Sequence, residues 1–157
     1  KPSRSGLAAM RAGRRLGVDV GSVRIGVAQC DPEGLIATPV VTLQVGRDPI
    51  KELNQLVQET DAIEIVVGLP TSLSGNEGEA AVKAREFAMK MHGEISTPIR
   101  LVDERFSTVV ATHAMRASGV NAKNGRASID QAAAVVILQS ALDAERASGR
   151  PPGEIVK

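Results

Sequence analysis

A chain of 157 residues, 43% hydrophobic and 24% charged, has the size and balance of one globular domain able to bury its own core. Nineteen Lys and Arg against eighteen Asp and Glu leave a net charge of +1, so global charge selects no partner. Two Phe with no Trp or Tyr exclude an aromatic stacking platform for single strands, one Cys excludes a disulfide framework or thiolate zinc site, and no apolar run nears the ~20 residues of a membrane span.

Residues 1–13 read as a flexible basic arm, with Gly, Ala, Ser and Arg and no carboxylate. The arm has no apolar run of signal-peptide length, which points to a cytoplasmic protein. Leu16, Val18 and Val20 alternate with Gly17, Asp19 and Gly21, predicting a strand over 14–20. Ile25 and Val27 share a face of a second strand, 24–29, and Asp31-Pro32-Glu33-Gly34 is a turn. A third strand covers 35–43, where Pro39 marks an edge or a break. Asp48 and Pro49 open a helix whose stripe is Ile50, Leu53, Leu56 and Val57.

The run 63–67 fits a buried strand ended by Gly68-Leu69-Pro70. Asn76 with Glu79 resembles a capping box for a helix through about Met91. A strand is expected over 99–104, then a helix 107–117 capped by Ser107, in which His113 reads as packing or surface. A loop covers 119–126. Ser128 with Gln131 caps a helix 129–146, and 148–157 form a C-terminal tail. Cys30 reads as a small packing residue. The order β-β-β-α-β-α-β-α-α predicts one α/β domain over 14–147. Its mixed five-stranded sheet joins an antiparallel three-strand meander to two parallel strands, with helices on both faces.

Acids dominate 16–104, with fourteen against seven cations, whereas 105–129 hold Arg105, Arg116, Lys123 and Arg126 and no carboxylate. That basic stretch is bracketed by Glu104 and Asp130. Asp19 sits mid-strand among apolar residues, where a carboxylate needs a cation, a metal or hydrogen bonds. On its face stand Gly17 and Gly21, which either admit a substrate backbone or allow tight helix packing. Asp103 and Glu104 point to opposite faces, so one of the two shares a face with Asp19. If the fourth strand lies between the first and fifth, the gap is about 10 Å at ~4.8 Å per strand, which Glu bridges more easily, and Gly68 leaves room for it. Asp130 would lie in the first turn of its helix, where acids also complement the helix dipole. Three such acids supply the oxygen ligands that Mg²⁺ prefers.

Asp19-Val20-Gly21-Ser22 followed by Arg24-Ile25-Gly26-Val27-Ala28 resembles the opening of the YqgF family, also called RuvX. Val67-Gly68-Leu69-Pro70, Asp103-Glu104-Arg105-Phe106-Ser107-Thr108 and Ile129-Asp130-Gln131-Ala132-Ala133-Ala134 resemble its later motifs, in family order. The resemblance implies an RNase H-like fold related to the RuvC resolvases. It also implies a cytoplasmic, divalent-metal-dependent nuclease that processes the 5′ end of the 16S ribosomal RNA precursor. Some members are described as Holliday junction resolvases, which would act as dimers. By position, Asp19, Glu104 and Asp130 match the acidic residues and would hold two Mg²⁺ or Mn²⁺ ions; Asp103 is their neighbour. Arg116, Lys123 and Arg126 are expected to hold phosphates. The expected partner is thus nucleic acid, an rRNA precursor or branched DNA, bound by a monomer or homodimer and at no membrane.

Two rivals remain at this level. Asp19-Val20-Gly21-Ser22 also resembles the phosphate loop of actin-like ATPases, but 157 residues cannot supply the two domains those need. A non-catalytic RNA- or ribosome-binding module would have no use for the acidic set.

Overall fold

The computed structural model describes residues 10–72, 74–104 and 122–157, and for 122–128 the backbone alone. Arg116, His113 and the expected helix 107–117 lie outside the described residues. The elements are β1 (Arg15–Val20), β2 (Arg24–Cys30), β3 (Ala37–Gln44), α1 (Pro49–Thr60), β4 (Glu64–Leu69), α2 (Glu79–Glu94), β5 (Ile99–Asp103), α3 (Ala122–Ser148) and β6 (Glu154–Ile155).

The strand order is β3-β2-β1-β4-β5-β6. β1, β2 and β3 form the expected antiparallel meander, and β4 and β5 add in parallel to β1. The sheet has a sixth strand where the sequence suggested a tail. Gly149 and Gly153, both at positive φ, turn the chain back after α3, and Glu154–Ile155 pairs antiparallel with β5. Two residues are too few to show an alternating pattern, and of the apolar pair Ile155 and Val156 only Val156, beyond the strand, is buried. β3 is an edge strand, one of the two outcomes Pro39 suggested, and its register with β2 shifts between Val27 and Ala28.

The pleat divides the core. Leu16, Val18, Ile25, Val27, Ile65 and Val67 face α1 and α2, where Leu53, Val57, Ala84 and Met91 close the layer. The other face belongs to α3, whose Ala133, Ala134, Ile137, Leu138 and Ala141 pack on Ala28 and Val66. This layer is thin because the strands present glycine to it. A Cβ at Gly17 would stand 2.7 Å from Leu138 Cβ, and one at Gly26 would overlap the backbone carbonyl of Asp130. Gly17 therefore serves helix packing and does not keep space for a ligand.

α1 begins as expected, with Asp48 as N-cap accepting from the Lys51 N–H and Pro49 at the first position. The capping box expected at Asn76 does not form. Instead Thr71 bridges Glu77, and the Asn76 N–H donates to the Ser72 hydroxyl, so α2 starts at Glu79 after an uncapped Gly78. α3 begins at Ala122, so 122–126 are helical and not loop, and Ser128 lies inside the helix rather than at its N-cap position. Ala122, Lys123, Arg126 and Ala127 favour helix, and one interior Gly costs only about 1 kcal/mol, which a long packed helix absorbs.

Candidate active site

The parallel strands β1 and β5, separated by β4, end at the same edge of the sheet. Asp19 is the penultimate residue of β1, half-buried, and stands opposite Gly26 on the face covered by α3. Glu104 follows β5 and prolongs its ladder, donating its N–H to the Leu69 carbonyl at 3.1 Å. Its side chain is 7% exposed and lies over Gly68, where an added Cβ would meet Glu104 Oε2 at 2.5 Å and Ile137 Cδ1 at 2.5 Å. The room expected at Gly68 is thus filled by the Glu104 carboxylate. Asp103 is exposed, and its Oδ1 accepts from the Thr71 hydroxyl at 2.5 Å. Glu104 is the member of the pair on the Asp19 face.

Burial first, then the negative charges of Asp19 and Asp103, together push the Glu104 carboxyl up to about 7. The edge of the sheet therefore gathers like charge. The other buried charged cluster, at the opposite end of β4, is the reverse case. There Glu64 and Glu145 are each bound by guanidinium groups, Arg11 and Arg100 on Glu64 and Arg11 and Arg15 on Glu145. That cluster is matched in sign and ties the described end of the arm, residues 10–13, to the sheet.

Asp130 lies well inside α3, so the helix-dipole explanation of an acid in a first turn does not apply to it. It is buried, its backbone carbonyl rests against Gly26, and its Oδ2 accepts from Arg24 Nε at 2.9 Å. The next residue, Gln131, donates to the Thr42 hydroxyl at 3.0 Å, which pins this part of α3 across the meander. Among the described residues no three His, Cys, Asp or Glu groups converge as a ready ion cage. Asp19 and Glu104 share one field, while Asp130 is drawn to Arg24.

Of the expected phosphate-binding cations, Arg116 lies outside the described residues. Lys123 and Arg126 occupy α3 positions spaced i, i+3 and i+7 with Asp130, which places the three on one face of the helix. The sequence reading passed over Arg24 and Thr71. Arg24 had a signal available: it alternates with Gly26 and Ala28, the residues of β2 that face α3.

A family described as "RuvX: Holliday junction resolvase" matches residues 13–144. Curated relatives bear the name "Putative pre-16S rRNA nuclease". One from Streptomyces coelicolor is 59% identical over 152 residues, covering 94% of this chain and 90% of its own. Another, from Nocardioides sp., is 51% identical over 154 residues and covers 94% and 99%. Among solved structures, T. thermophilus RuvC in complex with Holliday junction substrate is similar in fold. The TM-score is 0.55 at 15% identity, over 88% of this chain and 99% of that one.

Proposed function

The chain belongs to the RuvX family, and from that premise we infer that it is a nuclease hydrolysing phosphodiester bonds of structured nucleic acid. The name borne by relatives at 51–59% identity, "Putative pre-16S rRNA nuclease", supports a 16S rRNA precursor as its substrate. The observation that carries a hydrolytic reading is the pairing of Asp19 and Glu104 on one face at the ends of parallel strands, with Gly68 making room between them.

The donor chemistry fits divalent cations. Hard carboxylate oxygens suit Mg²⁺ or Mn²⁺, and a buried Glu104 lifted by its acidic neighbours is a site that gains from added positive charge. Asp19 and Glu104 would hold such ions, with Asp130 completing the set. When bound, a pair of ions supplies an activated water and charge stabilisation on the leaving oxygen. The protein itself fixes the carboxylates: the β-ladder sets Asp19, the Leu69 carbonyl and Gly68 set Glu104, and the glycine-lined packing of α3 sets Asp130. Arg116, Lys123 and Arg126 would hold backbone phosphates without reading sequence. An rRNA precursor as substrate implies the cytoplasm. Among the described residues no helix is long and apolar enough to cross a membrane.

The family's own description favours a second reading, a junction resolvase. Symmetric paired cuts need two sites, which a two-fold dimer supplies and one acidic set does not. A substrate panel separates the readings: labelled precursor rRNA, RNA–DNA hybrid, single strands and a four-way junction, each with Mg²⁺ or with EDTA. The rRNA reading expects Mg²⁺-dependent cutting of the precursor by a monomer, with junctions left whole. Tight binding with no cutting of any substrate would overturn both in favour of a binding module.

A further inference from the structure

The hairpin that carries Asp19 also carries the cation on Asp130. The Gly21 N–H donates to the Arg24 carbonyl at 3.0 Å, and a Cβ at Gly21 would stand 2.5 Å from that oxygen. The turn is therefore tight, and the register Asp19 to Gly26 and Val20 to Ile25 sets Arg24 on the face that α3 covers. From there its Nε reaches Asp130 Oδ2 at 2.9 Å, the arginine side chain 29% exposed and the carboxylate 9%. A partly exposed guanidinium on a long flexible stem is thus bonded to a buried carboxylate.

We propose that Arg24 is a placeholder cation, a positioning residue that holds and neutralises the Asp130 carboxylate in the metal-free protein and yields it when a divalent ion binds. This rests on the reading of Asp19, Glu104 and Asp130 as a divalent-cation site. The pair links two elements, β2 through Arg24 and α3 through Asp130. The guanidinium satisfies Asp130 without an ion, so α3 stays seated on Gly26. Because Asp130 is buried and Arg24 is not, Arg24 is the partner that can leave into solvent at little cost.

A competing partner lowers apparent affinity by the fraction of time the ligand is available. A pair formed about four-fifths of the time weakens ion binding about fivefold. The experiment is a calorimetric titration of Mn²⁺ into nucleic-acid-free wild type, Arg24→Gln, Arg24→Lys and Asp19→Asn. Arg24→Gln should bind Mn²⁺ about fivefold more tightly than wild type while melting at lower temperature without metal. Arg24→Lys, which keeps a cation, should stay near wild type. A residue with a purely structural role would leave Mn²⁺ affinity unchanged or weaken it, so either result in folded Arg24→Gln overturns the inference. Absence of Mn²⁺ binding in every protein, wild type included, would overturn the cation-site reading and this inference with it. Binding that Asp19→Asn abolishes but Arg24→Gln does not tighten overturns the inference alone. If Arg24→Gln does not fold, the wild type carries the test. The Arg24 Nε–H resonance, identified by its loss in Arg24→Lys, should shift on addition of Mg²⁺. A resonance that stays fixed while Mg²⁺ binds overturns the inference.

Discussion

At Gly68 a single missing side chain makes room for a carboxylate, and its neighbours predict what restoring that side chain would do. The atoms that a Cβ would strike, Glu104 Oε2 and Ile137 Cδ1, are both ends of side chains and can swing aside. Gly68→Ala should therefore fold, lose no more than about 1–3 kcal/mol by urea denaturation, and displace Glu104 from the Asp19 face. Cleavage should fall by about a hundredfold or more, since small misplacements of a reacting group cost that much. Gly26→Ala is the opposite case, because the methyl would meet the Asp130 backbone itself. That substitution should lower the melting temperature far more than Gly68→Ala, as α3 is forced off the sheet. Equal losses at the two positions would show that side-chain and backbone contacts are not being distinguished. Gly68 as a space-maker for Glu104 was legible in the sequence, because strand alternation and a glycine follow from local pattern. The choice between Asp103 and Glu104 was not, because the Thr71 hydroxyl that binds Asp103 comes from the segment after β4, which no local pattern of β5 announces.

The elements divide in the same way. β1, β2, α1 and the parallel addition of β4 and β5 follow from alternation, caps and crossover rules, and the structure repeats them. β6 escaped because two residues carry no period, and the start of α3 escaped because Gly125 and Ser128 imitate a loop and a cap. The early start of α3 changes the setting of the basic positions. Lys123 and Arg126 belong to the helix that holds Asp130 and do not form a closing loop. Replacing both by Ala should weaken nucleic-acid binding across sequences. The log–log salt slope should drop by about 0.7–0.9 per lost phosphate contact. Titrations at several salt concentrations check this, and an unchanged slope would move the phosphate contacts to other cations.

On the scale of the molecule, two charged clusters occupy opposite ends of the sheet with opposite tasks. At one end the buried Glu145, Glu64 and Arg15 and the partly exposed Arg11 and Arg100 pair opposite charges, joining α3, β4, β1 and β5. Burial by itself would raise the Glu145 carboxyl, but hydrogen bonds and charge from Arg11, with Arg15 behind, hold it at about 2 against an ordinary 4.5. A depressed carboxyl stabilises the fold above its unfolded value and loses that contribution as pH falls from about 4.5 towards 2. Glu145→Gln should therefore cost about 3 kcal/mol at pH 7, the scale of breaking a buried pair. It should also flatten the acid limb of a stability profile taken by urea denaturation across that range. At the other end Asp19, Asp103 and Glu104 crowd like charge, which suits an ion and burdens the empty fold.

That contrast makes Asp19→Asn the decisive substitution, since it removes one charge with almost no change in volume. The measurement pairs cleavage of labelled 16S precursor RNA in Mg²⁺ with the melting temperature in EDTA, for wild type and Asp19→Asn side by side. Wild type should cut, and the variant should cut at least about a hundredfold more slowly. The variant should melt at the same temperature or higher, because relieving the repulsion on Glu104 favours the metal-free fold. A pure Asp19→Asn protein that cuts at the wild-type rate would contradict the assignment of the carboxylate edge as the catalytic centre.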